Sequence, residues 1–214
     1  MESLRERFLF SRVLLWLFVL SLAYTASNFL VPYAIPPGTA VDLDGKANVV
    51  DNGGVYNTMW VYPQVIYYLG DAQCHQIAVR TLMLNGNQMP MDARMTSIYL
   101  FANFGLLSAI LATPSTSIAQ GMVNALPRRM QDWVRRHPGP ILFSGLLVVL
   151  GLLPVAVDGF WQLFSNGAYE STNLKRYLTG VPAGWGAGLL VGVMVKSIRQ
   201  VDVETAALRA KAQA

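Results

Sequence analysis

From Val13 to Val41 the chain carries no charged side chain. Its densest part, VLLWLFVLSLAYTASNFLV, is about 20 residues long, the length that carries a helix across the hydrocarbon core of a bilayer. Pro32, Pro36 and Pro37 close it, because proline removes a backbone donor and its ring clashes with the preceding turn. Three further apolar runs follow: MTSIYLFANFGLLSAILA (Met95–Ala112), GPILFSGLLVVLGLLPVAV (Gly139–Val157) and PAGWGAGLLVGVMV (Pro182–Val195). In the fourth, Gly184, Gly188 and Gly192 fall at i, i+4, i+8, the small-residue spacing that lets helix backbones approach closely in lipid. A cleaved signal peptide is the rival reading of the first run, with Arg5, Arg7 and Arg12 as the basic region and Ser21-Leu22-Ala23 as a cleavage site. The run continues past Ala23 to Val31, which favours a retained anchor.

These runs predict an all-α integral membrane protein with four transmembrane helices, built as one membrane domain over residues 1–214. The spans are about 13–31, 95–112, 139–157 and 182–197. Only 13% of the 214 residues are charged and 53% are hydrophobic, where soluble domains run nearer a quarter charged. The net charge of +4 does not imply nucleic acid, since the basic residues sit beside apolar segments and no nucleic-acid motif is present. A single cysteine excludes an internal disulfide.

Four spans leave both ends on one side, and the basic residues say which. Arg5, Arg7 and Arg12 precede the first span; Lys196, Arg199, Arg209 and Lys211 follow or close the last; Arg128, Arg129, Arg135 and Arg136 crowd PRRMQDWVRRHP after the second. The other two connections hold only Lys46, Arg80, Arg94, Lys175 and Arg176. The positive-inside rule places both termini, the basic loop 113–138 and the tail 198–214 in the cytoplasm, and segment 32–94 outside. His137, between Arg136 and Pro138, is read as facing water and anionic headgroups.

The outer segment begins with turn-rich PPGTAVDLDGKANVVDNGG. Tyr56, Trp60, Tyr62, Tyr67 and Tyr68 then crowd one window, which reads as an interfacial helix with an aromatic belt, or as the wall of a lipid-facing pocket. Pro63 argues against one uniform crossing helix there. QCHQIAVRTLML reads as a short amphipathic helix with Cys74, Ile77, Ala78 and Leu82 on one face, followed by a turn at Asn85–Asn87. Short interfacial helices on the outer face are thus expected.

Two blocks carry a family likeness. Cys74-His75-Gln76, Arg80, Gln88-Met89-Pro90 and Ala93-Arg94 with Thr96, Ile98 and Tyr99 form the first. Asp158-Gly159, Gln162, Glu170-Ser171-Thr172-Asn173, Arg176 and Thr179-Gly180 form the second. Together they resemble a prokaryotic family of membrane proteins, the domain of unknown function 2085, from Cys74 to the end of the fourth span. The family's usual pattern has cysteines flanking the Ala-Arg pair, where this chain has Asp92 and Met95, and glycine where it has Ser97. The thiol or metal chemistry that pattern implies is incomplete here: Cys74 and His75 remain, and a zinc site needs three or four ligands. No metal and no cofactor is expected.

The topology brings His75, Arg80, Arg94, Asp158, Gln162, Glu170, Asn173 and Arg176 to one depth at the outer face. Charges beside hydrocarbon are costly and tend to pair or to mark function. In one reading Arg94 and Arg176 pair with Asp158 and Glu170, while Gln162 and Asn173 tie helix ends together. In the other, the arginines bind a lipid headgroup or phosphate, with His75 or Asp158 as acid or base. Three functions follow in order. The first is a non-catalytic accessory or assembly subunit of a larger membrane complex, with protein partners or a homo-oligomer in the bilayer. The second is an outer-leaflet enzyme or binding protein for an anionic amphiphile. The third is a channel or transporter, which would need an oligomer because no charge lies mid-span.

Overall fold

A computed structural model describes residues 4–46, 48–165 and 168–213. Residue 214, the end of the expected tail, lies outside that range. The elements in order are α1 (Leu4–Leu9), α2 (Arg12–Leu30), α3 (Gly53–Tyr56), α4 (Val61–Asp71), β1 (Thr81–Leu84), β2 (Asn87–Asp92), α5 (Ala93–Leu111), α6 (Ile118–Asn124), α7 (Arg128–Arg136), α8 (Pro140–Phe164) and α9 (Asn173–Ala212). Among the described residues, four helices are long and apolar enough to cross a membrane: those at Arg12–Tyr33, Ala93–Leu111, Pro140–Phe164 and Asn173–Ala212. At 1.5 Å per residue, α2 and α5 are each about 28 Å long, close to the hydrocarbon thickness.

α8 and α9 run further than the apolar patterning alone implies. α8 continues past Val157 to Phe164, and α9 begins at Asn173 rather than Pro182. Pro154 and Pro182 lie inside these helices, as membrane helices tolerate. The segment 198–212 is helical, but as the continuation of α9, with every side chain from Val201 onward exposed. The two helices differ in burial: 6% of the most apolar window of α8 is buried, against 44% for α9. α8 presents Ile141, Leu142, Val149, Leu150, Val157, Phe160 and Trp161 outward along one broad face. So broad an exposed apolar face suits lipid or a neighbouring helix, not water.

The chain divides into two compact units, and each division falls within one of the four long helices. The first unit comprises residues 1–20, 101–153 and 182–214. Its packing is set by small residues on α5 and α9. A Cβ on Gly188 would strike the backbone carbonyl of Ala102, one on Gly105 the carbonyl of Trp185, and one on Gly192 the Cβ of Ala109. Gly188 and Gly192, two of the three glycines of the spacing read in the fourth run, therefore lie where α9 packs closely on α5. Ala109, Met122, Leu189 and Val193 form one buried cluster of this unit, and Leu14, Leu106 and Ile110 another. The C-terminal end of α5 is closed by two cations. Lys196, buried, donates to the carbonyls of Ala109, Ile110 and Ala112 at 3.2, 2.7 and 2.6 Å, and Arg7 donates to that of Leu111 at 2.7 Å. These are the carbonyls a helix end leaves orphaned, and the negative pole of the helix favours a cation there.

The second unit comprises residues 21–100 and 154–181. Two expectations are corrected in it. QCHQIAVRTLML is not an amphipathic helix: after a single 3-10 turn at Ala78–Arg80 it enters β1, which pairs antiparallel with β2. The cause is the turn. Asn85 and Gly86 adopt φ of +52° and +70°, the positive angles that a tight two-residue hairpin requires and that Asn-Gly supplies. Nor do all the aromatics form a belt: Tyr56 and Tyr67 are fully buried, stacked 5.6 Å apart in a core with Val31, Ile35, Ala40, Leu43, Met59 and Ile66. Their hydroxyls find internal partners, Tyr67 donating to the Gln88 carbonyl at 2.5 Å and Tyr56 to the Gln76 side chain. Trp60 stays largely exposed. Pro63 sits in the first turn of α4, where its missing N–H costs nothing.

Buried amides organise the remainder of this unit. Asn87 accepts from the Ala40 amide at 3.0 Å and donates to the Pro32 and Pro36 carbonyls at 3.0 and 3.1 Å. Gln88 accepts from the Leu43 amide at 2.7 Å, and Gln76 donates to the Pro90 carbonyl at 2.7 Å. These side chains satisfy the backbone of an irregular segment that has no ladder of its own. At Gly70 a Cβ would overlap the Pro90 carbonyl, so glycine is needed for α4 to rest on β2.

Candidate functional site

Seven of the eight residues singled out from the sequence meet in the second unit. Arg80, from the turn before β1, makes a two-pronged pair with Glu170, Nε to Oε1 at 2.9 Å and Nη2 to Oε2 at 3.3 Å. Arg176, on the second turn of α9 and 3% exposed, donates to the same Glu170 Oε1 at 2.9 Å and to Gln162 Oε1 at 2.9 Å. Its Nε reaches the Ser171 carbonyl at 3.0 Å. Gln162, near the end of α8, donates in turn to Glu170 Oε2 at 2.8 Å. Glu170 thus bridges two guanidiniums and an amide.

Arg94, at the start of α5, pairs with Asp158 of α8. Tyr169 donates its hydroxyl to the other oxygen of Asp158 at 2.7 Å. Asn173, first in α9, faces the carbonyls of Val79, Arg80 and Thr81; with its nitrogen turned toward the first two it donates to both, at 3.2 and 3.1 Å. Close approach of α5 and α9 supports the arrangement, since a Cβ at Gly180 would strike the Ser97 hydroxyl. Burial raises the Glu170 carboxyl, but the hydrogen bond and charge of Arg80, with Gln162 and Arg176, more than reverse this and hold it below the usual carboxylate range.

His75 is not part of the cluster. It is exposed and makes no hydrogen bond or ion pair among the described residues. Neighbouring Cys74 is buried, its Sγ accepting the Asp92 amide at 3.4 Å. Burial, then the charge of Asp92, pushes its thiol up to about 12, so it is held as the neutral thiol near neutrality. The positions that depart from the family pattern have local structural roles. Asp92 caps α5, its carboxylate accepting the Met95 amide at 2.7 Å, and Ser97 bonds the Arg94 carbonyl at 2.9 Å. Among the described residues no group of three His, Cys, Asp or Glu side chains is placed to hold a metal ion.

Sequence reasoning missed Tyr169, which completes the shell of Asp158. It lies one residue before Glu170, and a tyrosine beside a block of paired polar residues was the available signal. It also missed the bridge from Gln73 to Tyr24 and Tyr99: Tyr99 donates to the Gln73 side-chain oxygen, and the Gln73 side-chain nitrogen donates to the Tyr24 hydroxyl at 3.2 Å. Chemically, the site is a paired network of three arginines and two carboxylates that fastens the start of α5 to α8, and the turn before β1 to the loop before α9.

The comparisons agree with the blocks. A relative in Methanothermobacter thermautotrophicus, described as an uncharacterized protein, is 32% identical over 124 residues, covering 56% of this chain and 86% of its own. Another uncharacterized protein, of Methanocaldococcus jannaschii, is 25% identical over 133 residues, covering 62% of this chain and 70% of its own. No solved structure matches. Residues 74–190, which contain the whole paired network, match the profile described as "Predicted membrane protein (DUF2085)", and the chain belongs to that family.

Proposed function

We propose that the chain is a multi-pass membrane protein with both termini in the cytoplasm, serving as a non-catalytic accessory or assembly subunit of a larger membrane complex. One observation carries the reading. Apart from His75, which stands outside the cluster, the charged side chains that could have formed an acid–base or ligand set are engaged with one another: Arg80 and Arg176 on Glu170, Arg94 on Asp158, and Gln162 between Arg176 and Glu170. A network whose carboxylates are all paired with arginines fastens helices and holds no free carboxylate for proton transfer. The broad exposed apolar face of α8 suits partner helices, and the concentration of Lys and Arg in the termini and the 113–138 loop supports the orientation.

The test is photo-crosslinking in the native membrane, with a photoreactive residue at Leu150 or Val157 of α8. A discrete protein adduct of defined mass at either position supports the subunit reading; lipid adducts alone at both would overturn it. Orientation is tested separately by labelling single cysteines placed at Ser115 and Asn85 in sealed, right-side-out vesicles. Labelling of Asn85→Cys but not Ser115→Cys is the outcome required.

A second reading keeps one specific support. The Nε of Arg94 is buried without an acceptor, and three guanidiniums face two carboxylates in the network. That imbalance suits a binding protein or an outer-leaflet enzyme for an anionic amphiphile. Co-purification of one anionic amphiphile, lost in Arg94→Gln, would favour it over the subunit reading.

A further inference from the structure

A second polar feature lies apart from the paired network, in the first unit. A groove of about 660 Å³ runs between the junction of α1 with α2 and the 195–202 stretch of α9. Its walls are apolar: Leu9, Phe10, Val13, Val195 and Ile198. Arg12, Arg199 and Asp202 also line it. Both arginines are exposed, and neither makes an ion pair or side-chain hydrogen bond among the described residues. The Arg80, Arg94 and Arg176 side chains, by contrast, are all paired with carboxylates. Ser11 holds Arg12 in place by capping α2, its Oγ accepting the Leu14 amide at 3.3 Å. The floor beside the groove is already electropositive, because Lys196 is fixed there against the end of α5 with its ammonium 5.7 Å from the Phe10 ring centre.

We propose that this groove holds one anionic phospholipid, its phosphate between Arg12 and Arg199 and an acyl chain against Val13, Val195 and Ile198. Two unpaired guanidiniums at one rim match a phosphodiester, which presents planar pairs of acceptor oxygens to such forks. The apolar wall below them suits a chain continuous with the bilayer, which a soluble anion does not use. With Arg12 and Arg199 set against the single carboxylate of Asp202, the rim keeps a net positive charge, which favours a lipid of net negative charge over a zwitterionic one. The proposal rests on the membrane location and is independent of whether the chain serves a complex.

The test uses the full chain reconstituted in nanodiscs of equal phosphatidylglycerol and phosphatidylcholine, then released into mild detergent for native mass spectrometry. The wild type should retain one phosphatidylglycerol in preference to phosphatidylcholine. Arg12→Gln/Arg199→Gln should lower that retention roughly 30-fold, from two arginine contacts near the membrane surface. Ile198→Trp, which fills the apolar wall without changing charge, should lower it as well, so the outcome does not hang on one variant folding. Arg135→Gln, on α7 and outside the groove, should leave it unchanged. Equal retention by the double-glutamine variant, or loss of phosphatidylglycerol on adding inorganic phosphate alone, would overturn the proposal. The second result would mark a soluble-anion site.

Discussion

Replacing Arg94 by alanine tests the paired network most sharply. Arg94 and Asp158 are 16% and 8% exposed, nearer the buried than the surface limit. Removing one partner of a buried pair costs about 3–5 kcal/mol, because the other charge is left uncompensated; a fully exposed pair is worth about 1 kcal/mol or less. Tyr169 would still donate to Asp158, so the structure implies a loss of about 2–4 kcal/mol. Asp158→Asn in the Arg94→Ala background removes the orphaned charge and should recover about half of that loss. The assay is thermal unfolding in detergent, followed by scanning fluorimetry and by the fraction eluting as a single species on gel filtration. An unchanged Tm in Arg94→Ala, or a double variant as unstable as the single one, would refute the view that this pair fastens α5 to α8.

Other outcomes follow from the same geometry. Lys196→Met strips the donors from three carbonyls at the end of α5 and should cost about 2–4 kcal/mol, while Arg199→Gln three residues on should be close to neutral; thermal unfolding compares them. Gly188→Leu drives a side chain into the Ala102 backbone and should lower Tm or abolish the monodisperse species, whereas Gly186→Ala, which meets open space, should not. Cys74, buried with its thiol raised to about 12, should resist maleimide at pH 8 in the folded protein and react at once after denaturation in SDS. Glu170 has its carboxyl held below its unfolded value, so its contribution to stability is complete above about pH 4.3 and is lost as pH falls through the lower, folded value. Glu170→Gln should flatten that acid limb of a stability profile; with the side chain half exposed, the amplitude should be under about 1 kcal/mol.

The four long apolar helices were legible because an uncharged run of about 20 residues has few other stable outcomes. The extent of α9 was not. Pro182 reads as a helix start by soluble rules, yet in α9 it lies in the interior, and the family-block residues Asn173 and Arg176 sit on the preceding turns. β1 was misread because LMLN and its flanks fit a helical face as well as a strand over so short a window. The Asn85-Gly86 pair, which demands positive φ, was the stronger signal and decided the hairpin. The pairing of Arg94 with Asp158 and of Arg176 with Glu170 could be foreseen from the scarcity of charge beside apolar runs. His75 was misplaced because equal depth does not make side chains converge; its loop turns it outward. Lys196 looked like one more flanking charge, and its role against the α5 carbonyls depends on where a different helix ends, which no local window contains.

The most direct test of the proposed role is native mass spectrometry of the protein drawn from its own membranes in mild detergent at low salt. The account predicts stoichiometric partner proteins that remain bound in Arg80→Gln as long as the fold is intact. A monomer free of partners, carrying instead a stoichiometric amphiphile lost in Arg94→Gln, would contradict it and would make the paired network a binding site.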